Sequence, residues 1–399
     1  MHQNEVFDGD VIFMRTAGQQ KVKTKRTFIP RSEKMLDDLK KISGIDRSGM
    51  LATVTGFPEQ IFESWEYRKG LSLPFGKKDI DNIIIAGLGG SAISGDIIQS
   101  LLLDEADVPI WVCREYGIPA WASERTLFIA LSYSGNTEET LSAFVEAARR
   151  KCRIVGVSSG GKLRDFCKIA GATHVAIRPN LQPRAATAYL LFPTLGILDA
   201  AGIWSAEDAV IKAVDETSSI RGLIRMETPE AENPAKQIAR RIYGRIPQIY
   251  GHGIYAPIAR RWRGQFNENS KVVARDDVLP ECNHNDIVGW SANPEKTRDF
   301  AVILLRDRDN EAPAMSVRLD YLFEMMTSVA GDVIEVDSAG EGKLARMMHL
   351  MYLGDFASNY LAVLRGVDPS PVDIIIGLKK KVGELGLVDR LQDELKNIC

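Results

Sequence analysis

Three serine and threonine hydroxyls fall within the six residues Ser132-Tyr133-Ser134-Gly135-Asn136-Thr137, and the stretch Gly87-Leu88-Gly89-Gly90-Ser91 joins three glycines to another serine. Glycine lets backbone N–H groups approach an anion closely, and Ser and Thr hydroxyls donate further hydrogen bonds without adding charge. A helix starting just after such a loop adds a favourable dipole. Together these residue types can hold a phosphate group. Taken alone, Gly87–Ser91 also fits a tight turn between a strand and a helix. It is not a Walker loop, because no Gly-Lys-Ser/Thr follows. As a dinucleotide fingerprint it is incomplete, with Ala92 at the last position, and a dinucleotide site stands as the alternative. N-capping of a helix would explain Thr137 but leaves Ser132 and Ser134 without a task.

Such loops need strands and helices to present them. Asn82–Ala86 is a short, β-branched apolar run, as expected of a buried parallel strand, and it breaks at the glycine loop before a helical stretch through Ile97–Leu103. Pro109–Cys113, Leu127–Ser132, Arg153–Ser158 and His174–Ile177 read as further strands, and Ala186–Ala200 as a helix. Another helix opens at Thr137. It carries Glu138 and Glu139 in its first turn and Arg149, Arg150 and Lys151 at its end, the charge order a helix dipole favours. Helical patterns precede the first strand, from about residue 34 through Met35, Leu36 and Leu39, and again over Phe57–Lys69. After a polar stretch, 216–236, containing Pro229 and Pro234, the alternation restarts. A strand ends at Ile249–Gly251, a helix covers Ala256–Asn267, Phe300–Leu305 is a strand, Leu319–Val329 a helix and Val333–Val336 a strand. Helices over 341–365, 371–381 and 383–397 close the chain.

Strands alternating with helices imply an α/β protein with doubly wound parallel sheets, whose ligands bind at the carboxyl ends of the strands. The expected organisation is a loose extension over 1–33, a first domain with preceding helices over 34–215, a linker over 216–236, and a second domain with C-terminal helices over 237–399.

Composition narrows the partners. The formal net charge is -3 across 399 residues and Lys and Arg are spread along the chain, unlike the basic patches of nucleic-acid binders. No apolar run approaches a membrane span. Neither a nucleic-acid nor a membrane partner is expected. Cys113, Cys152, Cys167, Cys282 and Cys399 are odd in number and form no CxxC pair, which fits a reducing, cytoplasmic setting. With five histidines and no clustered His/Cys spacing, no zinc site is expected. Residues 1–33 have no apolar leader core. Their basic residues Lys21, Lys23, Lys25 and Arg26 are joined by Glu5, Asp8 and Asp10, which a transit peptide would lack, and Met35 is an alternative start.

Ser-Tyr-Ser-Gly-Asn-Thr, after an apolar strand and a Gly-Gly-Ser loop, resembles the sugar isomerase (SIS) domain, whose members bind phosphosugars. Gln182-Pro183-Arg184-Ala185-Ala186, Phe266-Asn267-Glu268-Asn269-Ser270-Lys271 and Leu279-Pro280-Glu281-Cys282-Asn283-His284-Asn285 extend the likeness. From roughly residue 45 to the C-terminus, in order, the chain resembles the bifunctional phosphoglucose/phosphomannose isomerases. That resemblance implies two SIS-type, flavodoxin-like doubly wound subdomains with helical N- and C-terminal segments. It implies metal-independent, cofactor-free interconversion of glucose 6-phosphate, and of mannose 6-phosphate, with fructose 6-phosphate through a cis-enediol. Such a reaction needs a carboxylate within reach of C1 and C2, a cation or donors for the enediolate oxygen, and an acid/base pair to open the sugar ring. By the resemblance Glu268 is the proton-shuttling base, Arg184 stabilises the enediolate, and His284 and Lys379 open the ring. Gly90, Ser91, Ser132, Ser134 and Thr137 match the phosphate site. In the family the histidine comes from the neighbouring subunit, which implies a homodimer with shared active sites.

One departure bears on specificity. Counting from Arg365-Gly366-Val367-Asp368-Pro369, Val372 stands where members acting on both sugars can carry a threonine, and Ser370 is nearby but displaced. The same run sets the register of Lys379. Other readings are an isomerase of a different phosphosugar, a non-catalytic SIS-type sensor, and the isomerase half of an amino-sugar synthase. The sensor would bring a DNA-binding segment and the synthase an amidotransferase domain, neither of which is visible here.

Overall fold

A computed structural model describes residues 35–399, and the expected extension 1–33 lies outside the described residues. Five strands form the first sheet: β1 (Asn82–Ala86), β2 (Ile110–Cys113), β3 (Thr126–Leu131), β4 (Arg153–Ser158) and β5 (Thr173–Ala176), in the order β2-β1-β3-β4-β5. All pairs are parallel, with Ile83 opposite Ile110 on one side and Leu127 on the other. β1 and β3 are almost wholly apolar because helices cover both their faces, and every residue of β3 is buried. The helix Thr187–Ala200 is apolar all round and correspondingly buried over most of its length. On one face of the sheet Phe128, Phe144 and Phe166 pack edge to face.

The second sheet contains β6 (Ile246–His252), β7 (Arg275–Leu279), β8 (Phe300–Arg306) and β9 (Asp332–Asp337), again all parallel, in the order β7-β6-β8-β9. Both α/β halves expected from the sequence are present. Strand β7 escapes the sequence reading because Arg-Asp-Asp-Val-Leu is an edge strand that pairs only with β6, so it needs no continuous apolar run.

Contacts divide the described chain into one unit of residues 46–222, 340–348 and 368–399, and another of 35–45, 223–339 and 349–367. The expected boundaries, 34–215 and 237–399, differ from this at both ends. Asp37 accepts hydrogen bonds from the Glu230 N–H and the Lys236 ammonium, which ties the N-terminal helical turn to residues after 222. At the other end, the amphipathic helix Leu387–Ile398 buries Leu391 and Leu395 in the cluster around Phe144 and Phe166. The helix Glu207–Ile224 runs well into the expected linker, and Pro234 opens the helix Pro234–Ile242 at its far end. No helix among the described residues is long and apolar enough to cross a membrane.

Candidate active site

The strand order β2-β1-β3 creates a topological switch point. The chain leaves β1 toward one edge of the sheet and β3 toward the other, so the loops after these two strands flank one crevice. Those loops are Gly87–Gly89 and Ser132–Thr137. The first loop starts against the end of β3: a Cβ on Gly87 would sit 3.0 Å from the Leu131 carbonyl oxygen, next to where the second loop begins. Each leads into a helix of 12 residues, Gly90–Leu101 and Glu138–Arg149.

Neither helix start is capped by a side chain. Thr137 occupies the N-cap position, yet its hydroxyl pairs with Ser132 Oγ at 2.8 Å. The capping explanation for Thr137 therefore fails, and the N-terminal dipole remains available to an anion. Ser132 is fully buried, and its Oγ also accepts the Thr137 N–H at 3.4 Å. The Ser134 hydroxyl accepts the Asn136 N–H at 3.3 Å. Gly135, at φ 72°, turns the loop and passes its carbonyl to the Leu163 N–H at 2.8 Å. Glu138 is drawn to Tyr116, whose hydroxyl donates to it at 2.6 Å and is pushed up to about 12 by that carboxylate.

Arg184 joins this site from a single 3-10 turn, Pro183–Ala185. A Cβ on Gly90 would meet the Pro183 carbonyl oxygen at 3.2 Å and the Arg184 Cα at 3.6 Å, so the glycine lets the arginine turn lie close against the first loop without crowding. The Arg184 side chain is buried, and its Nη2 donates to the carbonyls of Pro369 at 2.6 Å and Ser370 at 2.8 Å. The segment that carries Val372 is thereby held by the same guanidinium. Gly90, Ser91, Ser132, Ser134, Thr137 and Arg184 all belong to the unit built on the first sheet. Lys379 lies in that unit too, on the helix Asp373–Gly383, none of whose residues is buried.

Glu268 and His284 stand on the other unit. Glu268 is half-buried in the last turn of the helix Ala256–Asn269. Arg261, Gln265 and Asn269, spaced four apart, share one helix face. Arg261 Nη2 meets Asp355 at 2.7 Å, Gln265 Nε2 meets the same carboxylate at 2.7 Å, and Asn269 Nδ2 reaches Ser358 at 3.0 Å. Trp262 Nε1 donates to the Leu350 carbonyl at 2.8 Å. These bonds hold the helix along the face opposite solvent and set the position from which Glu268 emerges.

His284 is exposed at the end of the turn Glu281–His284. The turn is anchored by Asp286, which accepts the Tyr250 hydroxyl and, at 3.0 Å, the Trp290 Nε1–H. Tyr250 is fully buried, and burial together with Asp286 holds its hydroxyl far above the ordinary value, so it stays a donor. Asp286→Ala should leave this buried hydroxyl without an acceptor, at a cost of about 1–3 kcal/mol. The unfolding free energy from urea denaturation should fall by that amount, while Glu281→Ala, at an exposed position in the same turn, should leave it unchanged. Equal shifts in the two variants would refute the anchor.

One cluster went unread in the sequence. Arg306 closes the apolar run of β8, is fully buried, and bonds to Glu311 at 2.8 Å, Asp320 at 2.9 Å and Glu335 at 2.6 Å. Tyr255 donates to Asp307 at 2.6 Å. The only signal in the sequence was Arg306-Asp307-Arg308-Asp309, which resembles an ordinary charged loop. The second sheet thus fills the carboxyl end of its inner strand with its own ion pairs. Among the described residues no three His, Cys, Asp or Glu side chains are grouped to hold a metal ion.

Comparisons with known proteins bear on the family and the fold. The family model "Bacterial phospho-glucose isomerase C-terminal SIS domain" matches residues 231–382. Over 338 residues the chain is 39% identical to a bifunctional phosphoglucose/phosphomannose isomerase of Caldicellulosiruptor bescii, covering 84% of this chain and 99% of that protein. It is 35% identical to the protein of that description from Thermoplasma volcanium, over 76% of this chain and 91% of the relative. Among solved structures, a glucose-6-phosphate isomerase-like protein of Thermus thermophilus superposes with a TM-score of 0.55 at 21% identity, covering 84% of this chain and 98% of the other, which shows a shared fold.

Proposed function

The chain belongs to the family of bifunctional phosphoglucose/phosphomannose isomerases, and we propose that it interconverts glucose 6-phosphate and mannose 6-phosphate with fructose 6-phosphate through a cis-enediol. The observation that carries this reading is the pair of hydroxyl-bearing loops at two uncapped helix starts, with Arg184 against the first of them. Hydroxyls at uncapped helix starts suit a phosphate, and an arginine carried on a turn against the first of them suits an enediolate.

In the proposed mechanism Gly90, Ser91, Ser132, Ser134 and Thr137 hold the 6-phosphate. His284 and Lys379 open the ring: a proton leaves the C1 hydroxyl, a proton reaches the ring oxygen, and the C1–O5 bond breaks to give the aldehyde. Glu268 then takes the C2 proton. The electron pair forms the C1=C2 bond of the enediol while charge develops on the C1 oxygen, which Arg184 stabilises. Glu268 returns the proton to C1, and the O2 proton passes to the C1 oxygen, leaving the ketone at C2 and a hydroxyl at C1. Glucose and mannose 6-phosphates differ only at C2 and give the same enediol, so one base serves both if the bound sugar can rotate. No metal or cofactor enters the proposed steps.

The test is formation of fructose 6-phosphate by EDTA-treated protein offered each aldose phosphate separately. Turnover of both is expected. Turnover of glucose 6-phosphate alone would make Val372 the cause of a narrowed specificity, and turnover of neither would replace the proposal with a sensor or an isomerase of another phosphosugar.

The proposal includes a homodimer with shared active sites. It is supported by the helix Asp373–Gly383, which leaves Ile374, Ile376 and Leu378 largely exposed on a single chain. Mixing inactive Glu268→Gln and His284→Ala subunits should restore activity at one site per mixed dimer; a verified mixed dimer that stays inactive would refute sharing. The proposed location is the cytoplasm, supported by five cysteines that are all free.

A further inference from the structure

Tyr133 lies between two of the phosphate-loop serines, yet its side chain points away from the loop's hydroxyls. It is buried, and its hydroxyl donates to the Arg178 carbonyl at 2.9 Å while accepting the Leu181 N–H at 2.8 Å. Burial raises this phenol above its ordinary value, so it remains a hydroxyl able to serve both partners. Its main chain is fixed as well: the Tyr133 carbonyl accepts both the N–H and the Oγ–H of Ser159, at 2.9 and 2.7 Å. One residue thus joins the phosphate loop, the end of β4 and the segment 178–181.

That segment leads directly to Arg184. Asn180 sits at φ 67°, a left-handed conformation that asparagine adopts more readily than most residues, and turns the chain there. Three residues later the chain enters the turn Pro183–Ala185, closed by the Ala185 N–H to Gln182 carbonyl bond at 2.8 Å. The turn is gripped on its other side by Gly90 of the first loop. The arginine turn is therefore approached by Gly90 directly, and the segment that leads into it is held by the Tyr133 hydrogen bonds at Arg178 and Leu181.

We propose that Tyr133 is a positioning residue that couples phosphate binding in the Ser132–Thr137 loop to the placement of Arg184. The inference rests on the reading of these loops as a phosphate site and of Arg184 as the enediolate cation. An anion that orders Ser132 and Ser134 orders the tyrosine between them, and its two bonds carry that order to residues 178–181. Removing the hydroxyl takes away the link from the loop to the Arg178 carbonyl and the Leu181 N–H and lets the arginine turn drift, and a displacement of about 1 Å can cost about a hundredfold in rate.

Hydrogen–deuterium exchange tests the coupling without requiring turnover. In the wild type, saturating inorganic phosphate should slow exchange in 132–137 and in 178–186. In Tyr133→Phe, the first segment should still be protected and the second should not. Equal protection of 178–186 in both proteins would overturn the proposal, and no protection of either segment in the wild type would overturn it together with the phosphate-site reading. Kinetics supply the second arm. Tyr133→Phe should lower kcat about 10- to 100-fold with inhibition by inorganic phosphate unchanged, and should add little in an Arg184→Ala background. Full additivity in that double-mutant cycle would show that Tyr133 does not act through Arg184.

Discussion

Glu268→Gln should lower kcat for either aldose phosphate by roughly 10²–10⁴-fold, the usual contribution of a positioned general base, with little change in inhibition by inorganic phosphate. The expectation follows from how the residue is held. Four bonds along one face of Ala256–Asn269, from Arg261, Trp262, Gln265 and Asn269, place the last turn without using the Glu268 side chain. The Glu268 carbonyl, which accepts from the Lys271 ammonium, also survives the change. Glutamine has the same shape and cannot take a proton from carbon. The variant should therefore fold, bind and fail at chemistry. Steady-state kinetics beside phosphate inhibition decide the matter: a kcat within about tenfold of wild type would remove Glu268 as the base, and loss of phosphate inhibition would mean that the substitution had disturbed more than the proton transfer.

Gly135→Ala should be the most damaging small substitution in the phosphate loop. Its φ of 72° is strained for alanine, and the added Cβ would stand 1.8 Å from the Gly160 carbonyl oxygen and 3.1 Å from the Gly161 Cα. Backbone cannot swing aside as a side-chain end can. The two loops would have to part, breaking the Leu163 N–H to Gly135 carbonyl bond at 2.8 Å and the Lys162 N–H to Asn136 Oδ1 bond at 3.0 Å. Overpacking and conformational strain each cost about 1–3 kcal/mol, so a loss of roughly 3 kcal/mol or more is expected, with weakened phosphate inhibition. Gly202→Ala separates the causes. Gly202 has nearly the same φ, 73°, but a Cβ there would meet nothing within 4 Å, so it should lose only about 1 kcal/mol. Similar urea midpoints for the two variants would show that the close approach to Gly160 carries no weight.

Much of the site was legible in sequence because it is local. Both phosphate loops announce themselves as breaks after apolar strands, and the helix after Thr137 shows its polarity in Glu138, Glu139 and Arg149. The edge strand β7 was not legible, since strand signals come from burial and an edge strand buries little. The helix Leu387–Ile398 was recognised as a helix, but its apolar stripe does not say which core it enters, and Leu391 and Leu395 enter the core of the first sheet.

What the sequence determined by itself is the inventory and its local presentation: parallel strands, glycine turns at their carboxyl ends, and hydroxyls at helix starts. These depend on side-chain periodicity and on backbone freedom within a few residues. Tertiary structure alone decided three things. The strand order β2-β1-β3 brought the two loops side by side. The Thr137 hydroxyl turned to Ser132 rather than capping its helix. Arg184 was buried between Gly90 and the carbonyls of Pro369 and Ser370, 185 residues along the chain from the first of these carbonyls. The physical reason is common to all three. A local pattern specifies which face is apolar and which groups need partners, but the partner itself is chosen by packing between segments remote in sequence, where shape and unsatisfied polar groups leave few arrangements.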